Sequence, residues 1–263
     1  MKKSEWIGVG AAVAIVILTV SALLLAQSRT VKDVTPLPPL ADPMAGLGNP
    51  ENKAPAPDPI VLPPNARATF VGDSWTEGYG TRPLTGGFAY RTAAAMGWQQ
   101  NVFGVGGTGY TRQRFDKSGR MIAGTYQERI RQIPGQFMAQ HIVIIQGSTN
   151  DYNAAWNVKG AAVATFDAAR IRFPGAAVVV LGPCPSKLPA DSRLLVLDNA
   201  LGLAARGESL HYVSCREGNW ITKENYTKYF DASILHPNTA GYQYLADRFV
   251  EELRGFVSVR PRA

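Results

Sequence analysis

Five short apolar runs, each closed by glycine or a polar cluster, set what this chain can fold into. They are Ala68–Val71, Asn101–Val105, His141–Gln146, Ala176–Leu181 and His211–Val213. The two clearest, His-Ile-Val-Ile-Ile-Gln and Ala-Ala-Val-Val-Val-Leu, show no polar alternation. A strand without alternation is buried on both faces, as in a parallel sheet covered by helices. Helix-length segments separate the runs: Gly87–Met96, Thr125–Met138 (interrupted by Pro134), Ala161–Phe173 and Ser192–Arg206. A last helix begins after Asn238, a good cap, and sets Tyr242, Leu245, Ala246, Phe249, Val250 and Leu253 at helical spacing. Strands alternating with helices through right-handed crossovers predict a three-layer α/β/α sandwich. Its five-stranded parallel sheet would have a flavodoxin-like order.

The folded domain so read covers 66–263, and what precedes it differs in kind. Residues 1–6 carry Lys2 and Lys3; Ile7 to Ala26 then run without a charge. Twenty apolar residues span a bilayer as one helix, and the lysines ahead of it should stay in the cytoplasm. The segment 7–26 therefore reads as a signal-anchor that puts the rest of the chain outside the cytoplasm, single-pass at the cell membrane. The competing reading is a cleaved signal peptide, which would leave a secreted protein. From 27 to 65 apolar periodicity disappears, and ten of the eighteen prolines lie between Pro36 and Pro64. Such a stretch buries no core and reads as an extended linker.

The net charge is +7, but the basic residues are scattered, several of them at the chain ends. That is a general attraction to anionic surfaces, not a nucleic-acid footprint. Two cysteines and three histidines offer no metal-ligand spacing. Cys184 follows the fourth strand and Cys215 ends the fifth. In a flavodoxin-like order those strands are neighbours, and an oxidising compartment favours a Cys184–Cys215 disulfide over two free thiols.

Polar clusters follow the carboxyl ends of the first three strands: Gly72-Asp73-Ser74, then Gly104-Val105-Gly106-Gly107-Thr108-Gly109, then Gly147-Ser148-Thr149-Asn150-Asp151. In a parallel sheet all three share the edge where open α/β sheets bind ligands. The glycine run does not have the Gly-x-Gly-x-x-Gly spacing of a dinucleotide loop. Glycines also let backbone N–H groups approach a ligand, as an oxyanion site requires. A serine nucleophile needs a base. His141 and His211 open their strands and so belong to the opposite edge. His236, in Leu235-His236-Pro237-Asn238, stands beyond the fifth strand on the same edge as Ser74.

Together these blocks resemble the SGNH hydrolases, also called GDSL-like esterases. The resemblance rests on Gly72-Asp73-Ser74-x-Thr76-x-Gly78, on Gly107 before Thr108, on Gly147-x-x-Asn150-Asp151, and on His236-Pro237-Asn238 with Gly241. It covers roughly Arg67 to Gly255. It implies Ser74 as nucleophile and His236 as base. It implies an oxyanion hole from the Ser74 and Gly107 N–H groups and the Asn150 side chain, with no metal or cofactor. Three departures stand out. The third block is one residue longer than usual, Trp75 replaces a smaller apolar residue, and Ser233 fills the slot three before the histidine where the acid is expected. Asp231 is the nearest carboxylate and the candidate acid; a Ser–His pair oriented by a backbone carbonyl or by Ser233 is the alternative.

The expected activity is ester hydrolysis by a membrane-tethered enzyme outside the cytoplasm. The substrate would be an acyl or acetyl ester of a small molecule, an envelope glycan or a lipid. An acyltransferase with the same site, and a catalytically silent wall-binding module, are the competing functions.

Overall fold

A computed structural model of the protein describes residues 56–147 and 149–261. The expected anchor at 7–26 and most of the proline-rich segment lie outside the described residues. Among the described residues no helix is long and apolar enough to cross a membrane. In chain order the elements are β1 (Ile60–Leu62), β2 (Arg67–Gly72), α1 (Ser74–Glu77), α2 (Phe88–Met96) and β3 (Gln99–Gly104). A ribbon of β4 (Arg114–Phe115) and β5 (Met121–Ala123) precedes α3 (Tyr126–Gln132) and β6 (Ile142–Gln146). Then come α4 (Val158–Arg172), β7 (Ala177–Leu181), α5 (Ser192–Gly207), β8 (His211–Val213) and α6 (Lys223–Tyr229). A short β9 (Phe230–Asp231) and β10 (His236–Pro237) lead into α7 (Thr239–Arg254) and β11 (Val257–Val259).

The central sheet runs β3-β2-β6-β7-β8, with every pair parallel. Successive side chains of a strand point to opposite faces, and here both faces are apolar. Phe70, Ile142, Ile144, Val179 and Leu181 pack on one side with Phe88 and Ala89 of α2 and Tyr242, Leu245 and Phe249 of α7. Their neighbours Val71, Val143, Ile145, Val178 and Val180 pack on the other with Ile130 of α3, Phe166 of α4, and Leu197 and Leu201 of α5. Burial on both sides is why these runs carry no polar alternation. The expected α/β sandwich and its parallel sheet are present.

Local features have local causes. The break expected at Pro134 within Thr125–Met138 is present: the helix ends at Gln132, and only a 3₁₀ turn over Gly135–Phe137 follows Pro134. Proline lacks the N–H that a continuing helix needs. The folded unit also reaches back into the segment read as linker: Ile60–Leu62 pairs in parallel with Val257–Val259, and Leu62 and Ala66 are buried. Three residues are too few for periodicity to reveal a strand, and flanking prolines hide it further.

Cys184 and Cys215 are joined in a disulfide, with Cα atoms 5.1 Å apart and a sequence separation of 31. Both are buried. The bond ties the loop after β7 to the loop after β8, on the site edge of the sheet. Closing a loop of that length contributes about 3–4 kcal/mol in the chain-entropy model. Denaturant unfolding with and without reductant should show a loss of that size on reduction. A difference under about 1 kcal/mol would mean that the bond constrains little.

Candidate active site

Ser74 owes its position to the way β2 ends. Gly72 has no space for a side chain: a Cβ there would lie 2.1 Å from Thr76 Oγ1 and 2.7 Å from Gln146 Oε1. Asp73 then caps α1, its Oδ1 accepting from Trp75 N at 2.9 Å. Ser74 is the first residue of this single helical turn. Trp75, unusual for the motif, is buried with its ring 5.5 Å from that of Phe230. It therefore anchors the turn to the segment that leads to the histidine.

His236 lies on β10. Its Nε2 is 2.7 Å from Ser74 Oγ, and its Nδ1 meets the carbonyl oxygen of Ile234. A carbonyl can only accept, so Nδ1 carries the proton and Nε2 is left as the acceptor of the Ser74 hydroxyl. Leu235, between the two, adopts a left-handed conformation with φ 56°, which turns the Ile234 carbonyl back on the imidazole. Burial holds the His236 pKa below the ordinary histidine value, against smaller upward effects of the Ile234 carbonyl and the Glu77 charge. The Tyr79 ring lies 4.7 Å from the imidazole.

Asp231 is not brought to the imidazole. The β9–β10 register pairs it with His236, yet its Oδ1 accepts from Ser233 N at 2.9 Å and Ser233 Oγ at 2.6 Å. Those hydrogen bonds hold its pKa below the usual carboxylate value at an exposed position. The candidate acid thus caps a local turn, and Ser233, in the usual acid slot, is its partner. Sequence proximity could not reveal this, because the choice depends on how the turn folds.

The glycine loop forms the facing wall. Gly107 has φ 76°, a conformation that favours glycine. Among the described residues the N–H groups of Ser74 and Gly107 have no hydrogen-bond partner. Asn150 Nδ2 donates to Thr108 O at 2.9 Å, and buried Asp151 accepts from Tyr110 N, Thr111 N and Thr111 Oγ1 at 2.7–3.0 Å. The Asn-Asp pair therefore fastens the third loop to the second. Ser74, Glu77, Gly107, Asn150 and His236 share one open cleft of about 660 Å³. His141 and His211 lie elsewhere: His141 Nδ1 accepts from Arg67 N at 2.9 Å, and His211 stacks on Phe256 with ring centroids 3.9 Å apart.

Arg129 and Gln146, beneath the site, were not singled out in the sequence. Arg129 of α3 donates to Phe103 O (2.7 Å), Gly72 O (2.8 Å) and Thr108 Oγ1 (3.1 Å). One guanidinium so ties together the ends of β2 and β3 and the glycine loop. Asp73 is pushed up to about 7, chiefly by burial and further by the charge of Asp151, against the Trp75 N–H, Gln146 and Arg129. With its amide turned to satisfy its neighbours, Gln146 donates to Asp73 Oδ1 at 3.1 Å and Thr76 Oγ1 at 2.8 Å. A capping-box glutamate at the start of α3 is the only sequence sign that this helix is precisely placed.

Residues 70–244 match the model of the GDSL-like lipase/acylhydrolase family. The chain belongs to this family. A GDSL lipase of Mycobacterium tuberculosis is 32% identical over 84 residues, which is 32% of this chain and 36% of the lipase. The fold is similar to that of a family 2 carbohydrate esterase with a carbohydrate-binding domain from Corynascus thermopiles (Myceliophthora fergusii). That match has TM-score 0.58 and 20% identity over 75% of this chain and 68% of the other. It is also similar to the salicylyl-acyltransferase SsfX3 from a tetracycline biosynthetic pathway, with TM-score 0.53 and 16% identity over 73% and 55% of the two chains. At these identities the structural likeness concerns the fold.

A base must be neutral to accept a proton, and the lowered pKa keeps His236 neutral further into acid. The acid limb of kcat/KM on a neutral ester should therefore have its midpoint below pH 6.5, coincident with the His236 NMR titration. A midpoint above 6.5 would contradict this environment for the imidazole.

Proposed function

We propose that the chain is a serine ester hydrolase acting outside the cytoplasm, tethered through residues 7–26. The observation that carries the reading is the 2.7 Å contact of His236 Nε2 with Ser74 Oγ, with Nδ1 occupied by a carbonyl that fixes the tautomer. Ser74 attacks the ester carbonyl while His236 takes its proton. The Ser74 and Gly107 N–H groups and the Asn150 amide receive the negative charge that develops on the carbonyl oxygen. His236 returns the proton to the leaving alcohol, and water attacks the acyl-enzyme by the same route in reverse. Among the described residues no carboxylate is hydrogen-bonded to His236; the Ile234 carbonyl orients the ring.

The substrate class follows from location and likeness: an acyl or acetyl ester of an envelope glycan or lipid. The carbohydrate-esterase neighbour supports a glycan, and the acyltransferase neighbour supports transfer as the second reading. Both reactions share the acyl-enzyme and differ only in whether water or another alcohol attacks it.

Hydrolysis of p-nitrophenyl acetate tests the proposal. Ser74→Ala should lower kcat by about 10³-fold or more. Asn150→Ala should lower it by about 10²- to 10³-fold with little change in KM, because its donor matters mainly in the transition state. Activity that survives in Ser74→Ala would overturn the assignment. Ester exchange that outpaces hydrolysis when an alcohol is added would favour the transferase.

A further inference from the structure

The catalytic cleft does not end at Gly107. A second depression of about 440 Å³ shares Gly107 and Arg114 with it and continues along the β4–β5 ribbon past Thr111, Arg112 and Phe115. Arg112 and Arg114 are exposed. Among the described residues neither makes an ion pair. Among the described residues Arg114 Nη1 donates to the Gly106 carbonyl alone, at 3.3 Å, and its Cδ would lie 3.7 Å from a Cβ on Gly107. The guanidinium is therefore held beside the glycine loop, and Arg114 lines the cleft that also holds Ser74.

The carboxylates near this wall are engaged. Glu128 accepts from Gln113 Nε2 at 3.0 and 2.9 Å and from Thr125. Asp116 accepts from Ser118 and Arg120 at the ribbon tip. Glu77 faces the catalytic cleft, where its Oε2 accepts from Gly106 N at 2.9 Å. None of them lines the second depression. Two arginines thus line a groove with no carboxylate in its lining, beside the half-exposed ring of Phe115. Guanidinium forks suit planar carboxylates and phosphates, which they can bind through paired hydrogen bonds.

We propose that the ribbon groove is a subsite for an anionic group, carboxylate or phosphate, carried by the substrate next to the scissile ester. The proposal rests on the ester-hydrolase reading and narrows it to an acidic ester. The ribbon would select the substrate, and the Ser74–His236 pair would cleave it. Arg114, on the wall common to both depressions, is the specificity-determining residue, and Arg112 adds to the field further along.

The test compares kcat/KM of the full-length chain on three monoacetyl esters: of glucose, of glucuronate and of glucose 1-phosphate. At low salt at least one anionic ester should be preferred over the neutral one by about 10-fold or more, and salt should erode the preference. The two acidic arms separate a carboxylate from a phosphate. Arg114→Gln should lower the preference ratio by about 10- to 100-fold, the range of a hydrogen bond to a charged group. Arg114→Lys should retain part of it. Arg260→Gln removes the same charge beyond the far end of α7 and should leave the ratio intact. A wild-type ratio near one, or a ratio unchanged in Arg114→Gln, would overturn the subsite while leaving the hydrolase reading standing. Calorimetry on Ser74→Ala protein separates the two claims further. Tighter binding of glucuronate or glucose 1-phosphate than of glucose, lost with Arg114→Gln, supports the subsite even where no ester is turned over. Equal binding of all three overturns it.

Discussion

A carbonyl oxygen accepts hydrogen bonds and cannot donate them. Placed at Nδ1 of His236, the Ile234 carbonyl therefore decides which ring nitrogen is free. It leaves the Nε2 lone pair facing Ser74 Oγ at 2.7 Å. In triads a buried carboxylate does the same job and also stabilises the imidazolium that forms during reaction. A carbonyl dipole supplies the orientation and less of the charge. The backbone bears a cost for it: a left-handed Leu235 is disfavoured by roughly 1–2 kcal/mol in an ordinary residue. That cost is carried by the short β9–β10 pairing and by the packing of Trp75 on Phe230.

The rest of the site edge is built to keep that pair in register. Three loops meet there, and each is pinned by a buried or half-buried polar group, the Ser74 turn also by the packing of Trp75 on Phe230. Arg129 holds the ends of β2 and β3, Asp151 holds the glycine loop, and Asp73 caps the turn that presents Ser74. Buried charges are costly unless hydrogen-bonded, and each of these groups is: Arg129 donates three hydrogen bonds, Asp151 accepts three, and Asp73 accepts from Trp75 N. Burial nonetheless raises the pKa of Asp73. The apolar layers on the two faces of the sheet form the core beneath them.

The sandwich was legible in the sequence because burial on both faces leaves uninterrupted apolar runs, and because Asn238 and the spacing of Tyr242 to Leu253 mark the last helix. The meeting of Ser74 with His236 was legible too, since parallel strands send all their carboxyl ends to one edge. What depends on a single turn was not. Whether Asp231 reaches the imidazole or Ser233 is settled by rotations that leave no periodic trace. The ribbon of β4 and β5 escaped because its strands are two and three residues long. Arg129 and Arg114 look alike in sequence, each one half of an Arg-x-Arg pair, and only the fold sends one beneath the site and the other to its rim. The early strand Ile60–Leu62 is as short as β5, and its partner lies at the far end of the chain, so nothing near it in sequence marks the pairing.

In the proposed mechanism Ser74 is activated by a histidine oriented by a backbone carbonyl, with no carboxylate needed. The most direct test is the rate at which an organophosphonate labels the protein, with the adduct located by mass spectrometry, in the wild-type chain and in Asp231→Asn. One adduct is expected, on Ser74, formed at rates within about tenfold of each other in the two proteins. An adduct on another residue, or a fall of about 10²- to 10⁴-fold in Asp231→Asn, the loss expected when a triad acid is neutralised, would contradict it.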